Sequence, residues 1–521
     1  MLDVNPYADH VAARFLDFFG RATRWQRGLW SVGLILTLRE VLEASEAVRE
    51  GVLSQDALKY LLDHARRLAG PDPGVGEEPR RKSLLACLAG DLAYKGHDFR
   101  VLRQTVPELE ENYLDRWAVA LRRSAPPTGP ERAARAIAAH LLDAGLHPNF
   151  LHRWITYRIA REPGQRSLAD VIADAHGLVR ASPRTYDVVV AFTAAPKPFD
   201  GPAWIDAASL AQWLDVKGLQ TRKVRQYGGV RLRVSARDPW SAVDDAGERV
   251  DRMAALGAIG TRGTRLVAHP VAWVEGKSGT YPLRSRRRVE VLALTRETRL
   301  GGVERVDIVD AALELLGPLD TGPAGPAVAS GWAAVEAVLT MPGDRQRVLA
   351  ADRLASLVAC SWPRAELTTL AYAHQTNARD ELATRLGACT ENRERAVLTA
   401  EALSAGEALK VVHGSDQAAR DRMTRFLASR RTCLLDVQEH ATAAIRRLYR
   451  QRNLVLHGGR VGAVALRAAL RTAAPLVGAG FDRIAHAWYV KGVEPRDLAA
   501  RARLRIDQAD LPGRSVAELL E

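Results

Sequence analysis

The sequence predicts a multidomain α+β protein. It divides into an N-terminal all-helical region at 1–182, a small central α/β domain at 183–316, a linker at 317–329 and a C-terminal all-helical bundle at 330–521. Three observations predict this. The chain has 521 residues, several times the usual ~150-residue domain. Apolar residues recur at helical spacing in the first and last thirds but alternate in the middle. A Gly- and Pro-rich stretch then separates the middle from the end.

From Asp9 to about Val179 the apolar positions, such as Phe15, Phe18, Phe19, Leu29, Val32, Leu36 and Leu38, follow a helical period. GPDPGVGEEP (70–79) and the proline-rich 126–130 break the run as loops. The helix after the second break starts with Pro130 in its first turn and stops at Gly145. Near Tyr186 the pattern changes. YDVVVAF is a short β-branched run, GVRLRVSA places Val230, Leu232 and Val234 on one face, and RLVAHPVAWVEG and RRRVEVLAL read as further strands. A helix is expected at 239–256 between the second and third of these, and GPLDTGPAGPAVASG (317–331) has the composition of a linker. After it helical spacing returns.

Composition sets limits on function. Hydrophobic content of 47% and charged content of 26% exclude a disordered or fibrous chain. The longest strongly apolar stretch, Gly28 to Leu38, is too short to span a bilayer, so no membrane partner is expected. The start MLDVNPYADH lacks the marks of a targeting segment, which predicts a cytoplasmic protein. Cys87, Cys360, Cys389 and Cys433 form no C-x-x-C pair, which argues against disulfides and thiolate zinc and predicts packing roles. The net charge of +13, about one excess charge per 40 residues, is mild support for nucleic-acid binding.

Three clusters have chemistry to weigh. His140, His147 and His152 beside Asp143 match no standard metal-ligand spacing. Glu275 and Lys277, with Asp244, Asp245 and Asp251 upstream, are loosely like a metal-dependent nuclease, although Gly276 favours a plain strand end. The third is RLYRQRNLVLHGGR (447–460), which contains Arg452-Asn453-x-x-x-His457. Its spacing alone says little, because Arg135/His140 and Arg262/His269 come close to it. Its context differs: a polar Asn follows the Arg, Tyr449 lies one turn before, and Gly458-Gly459 stops the helix after the His. RNA carries its own 2′-hydroxyl nucleophile, so a proton-transfer group and a cation suffice for cleavage without metal or other cofactor. Asn453 and His457 share a helix face, so the amide can orient the imidazole or the phosphate. Arg452 lies about 140° round an ideal helix from His457. That offset predicts a homodimer in which two such helices face each other across a two-fold axis.

At these residues the chain resembles the HEPN superfamily, specifically the Apea-like branch of bacterial defence ribonucleases. The resemblance extends over 330–491, through GWAAVEAVL (331–339), RQRVLAADRLASLVAC (345–360) and LYRQRNLVLHGG. It implies an all-helical bundle that dimerises and cleaves RNA without metal, leaving a 2′,3′-cyclic phosphate. Arg452, Asn453 and His457 carry over as the catalytic set; Tyr449 and Arg450 are added as candidate RNA contacts. A regulated toxin or antiviral effector is the expected role, with the N-terminal two-thirds sensing an unknown trigger. The alternative is a catalytically inactive HEPN-like binding or assembly module, in which His457 simply favours the negative end of the helix dipole.

Overall fold

The structure, a computed structural model, describes residues 5–123, 126, 128–161, 166–196, 201, 203–219, 227–260, 265–301, 306–512 and 514–520. Pro127 of the second expected break and Arg262 of the comparison above lie outside them. Nine helices precede the sheet among these residues: α1 (Pro6–Phe19), α2 (Leu34–Arg49), α3 (Gln55–Ala69), α4 (Glu78–Ala89), α5 (His97–Glu111), α6 (Tyr113–Leu121), α7 (Pro130–Asp143), α8 (Pro148–Arg161) and α9 (Leu168–Arg180). Local chemistry sets their starts. The Asn5 side chain accepts from the Tyr7 N–H to cap α1, Ser54 caps α3 in the same way, and Pro130 opens α7. Gly145 follows α7 in the left-handed conformation that a glycine adopts without strain.

The middle of the chain forms β1 (Arg184–Ala194), β2 (Trp204–Ile205), α10 (Ala207–Val216), β3 (Gly229–Ala236), α11 (Pro239–Gly260), β4 (Val267–Val274) and β5 (Tyr281–Pro282). The sheet order is β2-β3-β1-β4-β5 and each described pairing is antiparallel, so the chain is an α+β protein. Val188, Val190 and Phe192 of β1 pack with Val243, Ala246 and Val250 of α11, while Val189 and Ala191 pack with Leu210 and Leu214 of α10. Burial on both faces explains why the centre of β1 is a continuous apolar run rather than an alternating one.

After the sheet come α12 (Ala293–Arg296), α13 (Ile308–Glu314), α14 (Leu316–Thr321), α15 (Ala324–Leu339), α16 (Leu349–Asn377), α17 (Glu381–Ala388), α18 (Asn392–Ser404), α19 (Gly414–Ala428), α20 (Arg430–Leu456), α21 (Leu466–Lys491), α22 (Pro495–Asp507) and α23 (Val516–Leu519). Two readings of the sequence need correction here. The stretch 317–329, expected as a linker, belongs to α14 and α15. Its prolines are compatible with helix because Pro318 and Pro326 fall in first turns and Pro323 is an N-cap, where no backbone donor is needed. RRRVEVLAL is not a strand. It is a strap whose backbone donors find side chains and a helix end instead: Val289 N–H donates to Asp320 Oδ1 (3.1 Å), Ala293 N–H to Asp482 Oδ1 (2.7 Å) and Arg287 N–H to the Asp320 carbonyl (3.0 Å). The strap crosses α21 at Gly478, where a Cβ would come within 2.6 Å of the Glu290 nitrogen.

The chain folds as two compact units. One gathers Met1–Asp143, Trp154–His176 and Arg287–Glu521; the other holds Ala144–Arg153 and Gly177–Arg286 with the sheet. The first and last thirds are therefore not separate domains. A buried ionic network joins them: Arg14 meets Asp17 and Glu131, Arg27 meets Glu366 (3.1 Å) and Asp416 (2.8 Å), and Arg422 also meets Glu366. Hydrophobic period reports which face of a helix is buried, but not the distant segment that covers it.

Candidate active site

Helix α20 carries the Arg-Asn-x-x-x-His motif at its C-terminal end. The helix stops where the glycines predict: His457 is the cap residue, its N–H and that of Gly458 both donate to the Asn453 carbonyl (2.9 and 3.2 Å), and Gly459 takes a φ of 62°. Arg452 Nη1 donates to His457 Nε2 at 2.8 Å and to Asn453 Oδ1 at 2.9 Å. A guanidinium only donates, so Nε2 must accept, which assigns the neutral imidazole with its proton on Nδ1. Asn453 is buried, Arg452 half-buried and His457 exposed, so the pair is open to solvent with an anchored base.

This geometry corrects the 140° argument. His457 sits past the last helical turn, and the long Arg452 side chain reaches it within one chain. The offset thus supplies no reason for a second copy. The role expected of Asn453 shifts too: its amide oxygen orients the guanidinium rather than the imidazole.

Of the two candidate RNA contacts, Arg450 is placed differently from expectation. Arg450 is buried, with Nη2 donating to Glu40 Oε1 at 3.4 Å, beside Arg447 Nε, which donates to Glu40 Oε2 at 2.7 Å. A guanidinium enclosed in this way has no free edge for a phosphate. Tyr449 is half-buried with its ring 4.7 Å from that of Trp332 on α15. Trp332 in turn donates Nε1–H to Glu336 (2.7 Å), so the aromatic-then-Glu pattern of that helix is an internal hydrogen bond behind α20.

Sequence reasoning missed the element that holds this end of α20. Glu40, Glu43, Glu46 and Glu50 lie along one side of α2 at helical spacing. Glu40 takes Arg447 and Arg450, Glu43 accepts from the Val464 N–H (3.2 Å), and Arg460 bridges Glu46 (3.0 Å) and Glu50 (2.6 Å). Four carboxylates of α2 therefore clamp the His-Gly-Gly-Arg turn and the helix before it. The signal was present as acidic residues at intervals of three, three and four, interleaved with Val41, Ala44 and Ala47, which are buried. Burial pushes the Glu43 carboxyl up to about 6.

The other clusters have structural partners. His140 is buried against Tyr113 with ring centroids 4.5 Å apart, and burial pushes it down to about 3. The His147 backbone N–H donates to Asp238 (2.9 Å), and its ring lies against Trp240 and 3.4 Å from Asp244. Glu275 pairs with Arg231 and with Lys217 (3.5 Å), and Asp251 pairs with Arg284. Among the described residues no group of three or more His, Cys, Asp or Glu side chains could hold a metal ion. Cys87 is buried, and burial pushes the Cys360 thiol up to about 12. Among the described residues no helix is long and apolar enough to cross a membrane. The chain matches no family model, no curated protein and no solved structure.

Proposed function

We propose that this protein is a metal-independent endoribonuclease of HEPN type that acts through Arg452 and His457. The observation that carries the reading is the direct contact of a guanidinium and a neutral imidazole at an exposed helix end. A phosphate oxygen binding Arg452 competes for the donor that now occupies Nε2 and releases that nitrogen as a base. Nε2 then takes the 2′-hydroxyl proton, the 2′-oxygen bonds to phosphorus, and the bond to the 5′-oxygen breaks. The leaving oxygen takes a proton from water, and the products are a 2′,3′-cyclic phosphate and a 5′-hydroxyl. Arg452 balances the charge that builds on the phosphoryl oxygens. RNA as substrate, action as a toxin or antiviral effector, dimerisation through the last helices and control by an unknown trigger belong to this proposal through the HEPN resemblance.

One observation favours a second reading, an inactive binding or assembly module: the Nε2 lone pair is already engaged by Arg452. Incubating the full chain with total RNA in EDTA, beside His457→Ala, separates the two. Products ending in 2′,3′-cyclic phosphate from the wild type alone support the nuclease. Equal product from both proteins, or none from either with and without RNA isolated from infected cells, supports the module.

A further inference from the structure

Another candidate ligand site lies elsewhere in the helical unit. A cavity of about 780 Å³ opens between the start of α2, α3, α6 and α7 on one side and α16, α19 and α20 on the other. That volume is in the range of small-molecule sites. Four residues lining it carry a buried polar atom with no hydrogen-bond partner: Ser31 Oγ, His64 Nδ1, Arg135 Nη1 and Arg422 Nη1. His64 and Arg422 are themselves more than nine-tenths buried. All four can donate a hydrogen bond, and none is a carboxylate oxygen. Leaving such donors unmatched is costly, so the chemistry of the lining asks for a ligand rich in acceptors.

The charges point the same way. Most carboxylates of the cavity are bonded within the protein, and Asp436, which also lines it, interacts with Arg132, Arg135 and Arg425 together rather than with one of them. Glu131 faces His10 (3.2 Å), Arg14 (3.0 Å), Arg135 (3.0 Å) and Arg422 (3.8 Å). Asp72 accepts from Tyr113 Oη (2.6 Å) and the Gly74 N–H (2.8 Å), and Glu439 holds Arg67 (2.6 Å). Arg132 and Arg425 stand exposed at the rim without a carboxylate bonded to them. Burial and the neighbouring guanidiniums hold His64 well below its ordinary range, and the same causes push His440 down to about 3, so both imidazoles are neutral.

We propose that this cavity binds a phosphate-bearing small molecule of nucleotide size, with the phosphates on Arg132, Arg425 and the free edges of Arg135 and Arg422, and the heterocycle against Ser31, His64 and Trp117. Inorganic phosphate alone fills too little of 780 Å³ to meet donors on four separate residues. The site is independent of the nuclease reading, since neither Arg452 nor His457 lines it.

Titration calorimetry and thermal melting of the full chain test it with AMP, ATP, GTP and CTP as probes and adenosine and inorganic phosphate as controls. At least one nucleotide should bind with Kd below 1 mM, at least tenfold tighter than adenosine or phosphate. Arg132→Ala and Arg425→Ala, both exposed, should each weaken it about tenfold. Ala136→Phe should fill the cavity and abolish binding while leaving the charges in place. If that variant does not fold, the two rim variants decide. No binding by any nucleotide, equal binding of adenosine, binding of phosphate as tight as any nucleotide, or rim variants indistinguishable from wild type overturns the proposal.

Discussion

Replacing Glu40 with alanine should be among the most destabilising single changes in the molecule. Glu40, Arg447 and Arg450 are 3%, 1% and 4% exposed, and both guanidiniums donate to the one carboxylate. Without it two cations stay buried, and Nη2 of Arg447 already has no partner. Removing one partner from a buried ion pair costs about 3–5 kcal/mol, against a total stability on the order of 5–15 kcal/mol. Urea denaturation at pH 7, followed by circular dichroism, should show Glu40→Ala losing about 3–5 kcal/mol, at least about a fifth of the stability of the helical unit. Glu40→Gln, which keeps an acceptor but no charge, should fall between. The triple Glu40→Leu/Arg447→Leu/Arg450→Leu should return to within about 1–2 kcal/mol of wild type, because apolar groups of similar volume replace a buried triad at little cost. A Glu40→Ala loss under about 1 kcal/mol, or a triple variant as unstable as the single one, would refute the idea that the carboxylate is needed chiefly to neutralise buried arginine.

Further expectations concern the candidate site and pH. His457→Ala should reduce RNA cleavage by about 10² to 10⁴ with an unchanged melting curve, since the side chain is exposed; Arg452→Lys should also lose rate, because an ammonium keeps the charge but not the planar fork. Mixing His457→Ala chains with Arg452→Ala chains should restore no activity, because both groups come from one chain; recovery on mixing would reinstate a shared site. Burial pushes Asp72 up to about 6 in the folded state, above its unfolded value near ~3.9. A raised carboxylate favours folding while protonated, and that contribution is lost as pH rises through about 6. Asp72→Asn should therefore be more stable than wild type by about 2–3 kcal/mol at pH 8, with the difference vanishing below about pH 4 in urea titrations. Limited proteolysis should spare 316–339, as a helical segment rather than a linker, and early cleavage there would contradict α14 and α15.

How much of this was legible in the sequence depended on range. The alternating residues of β3, the apolar run of β1 and the helix α11 were readable because strand and helix periods are local properties. The strap at 286–294 alternates too, yet it forms no ladder, since Asp320 and Asp482 take its backbone donors from far along the chain. The motif in α20 and the glycine stop after it were readable for the same local reason. Arg450 was misjudged because Glu40, which encloses it, lies about four hundred residues away, and Trp332, the ring neighbour of Tyr449, is equally out of local view. The offset between Arg452 and His457 was misjudged because ideal helix geometry ends one residue before the histidine.

The pairing of α2 with α20 also sets a timetable for synthesis. Glu40 and Arg447 are 407 residues apart in the chain. At a ribosomal rate of ~5–20 residues per second, the carboxylate emerges about 20–80 s before its arginine exists. During that interval the acids of α2 have no arginine to meet, although the apolar side of the helix can already pack on α3, α5 and α7. The turn bearing His457 is drawn against Glu46 and Glu50 only after the chain has passed Arg460. Arg452 and His457 therefore come together only late in synthesis, on a turn whose acidic anchors have been waiting since the first tenth of the chain.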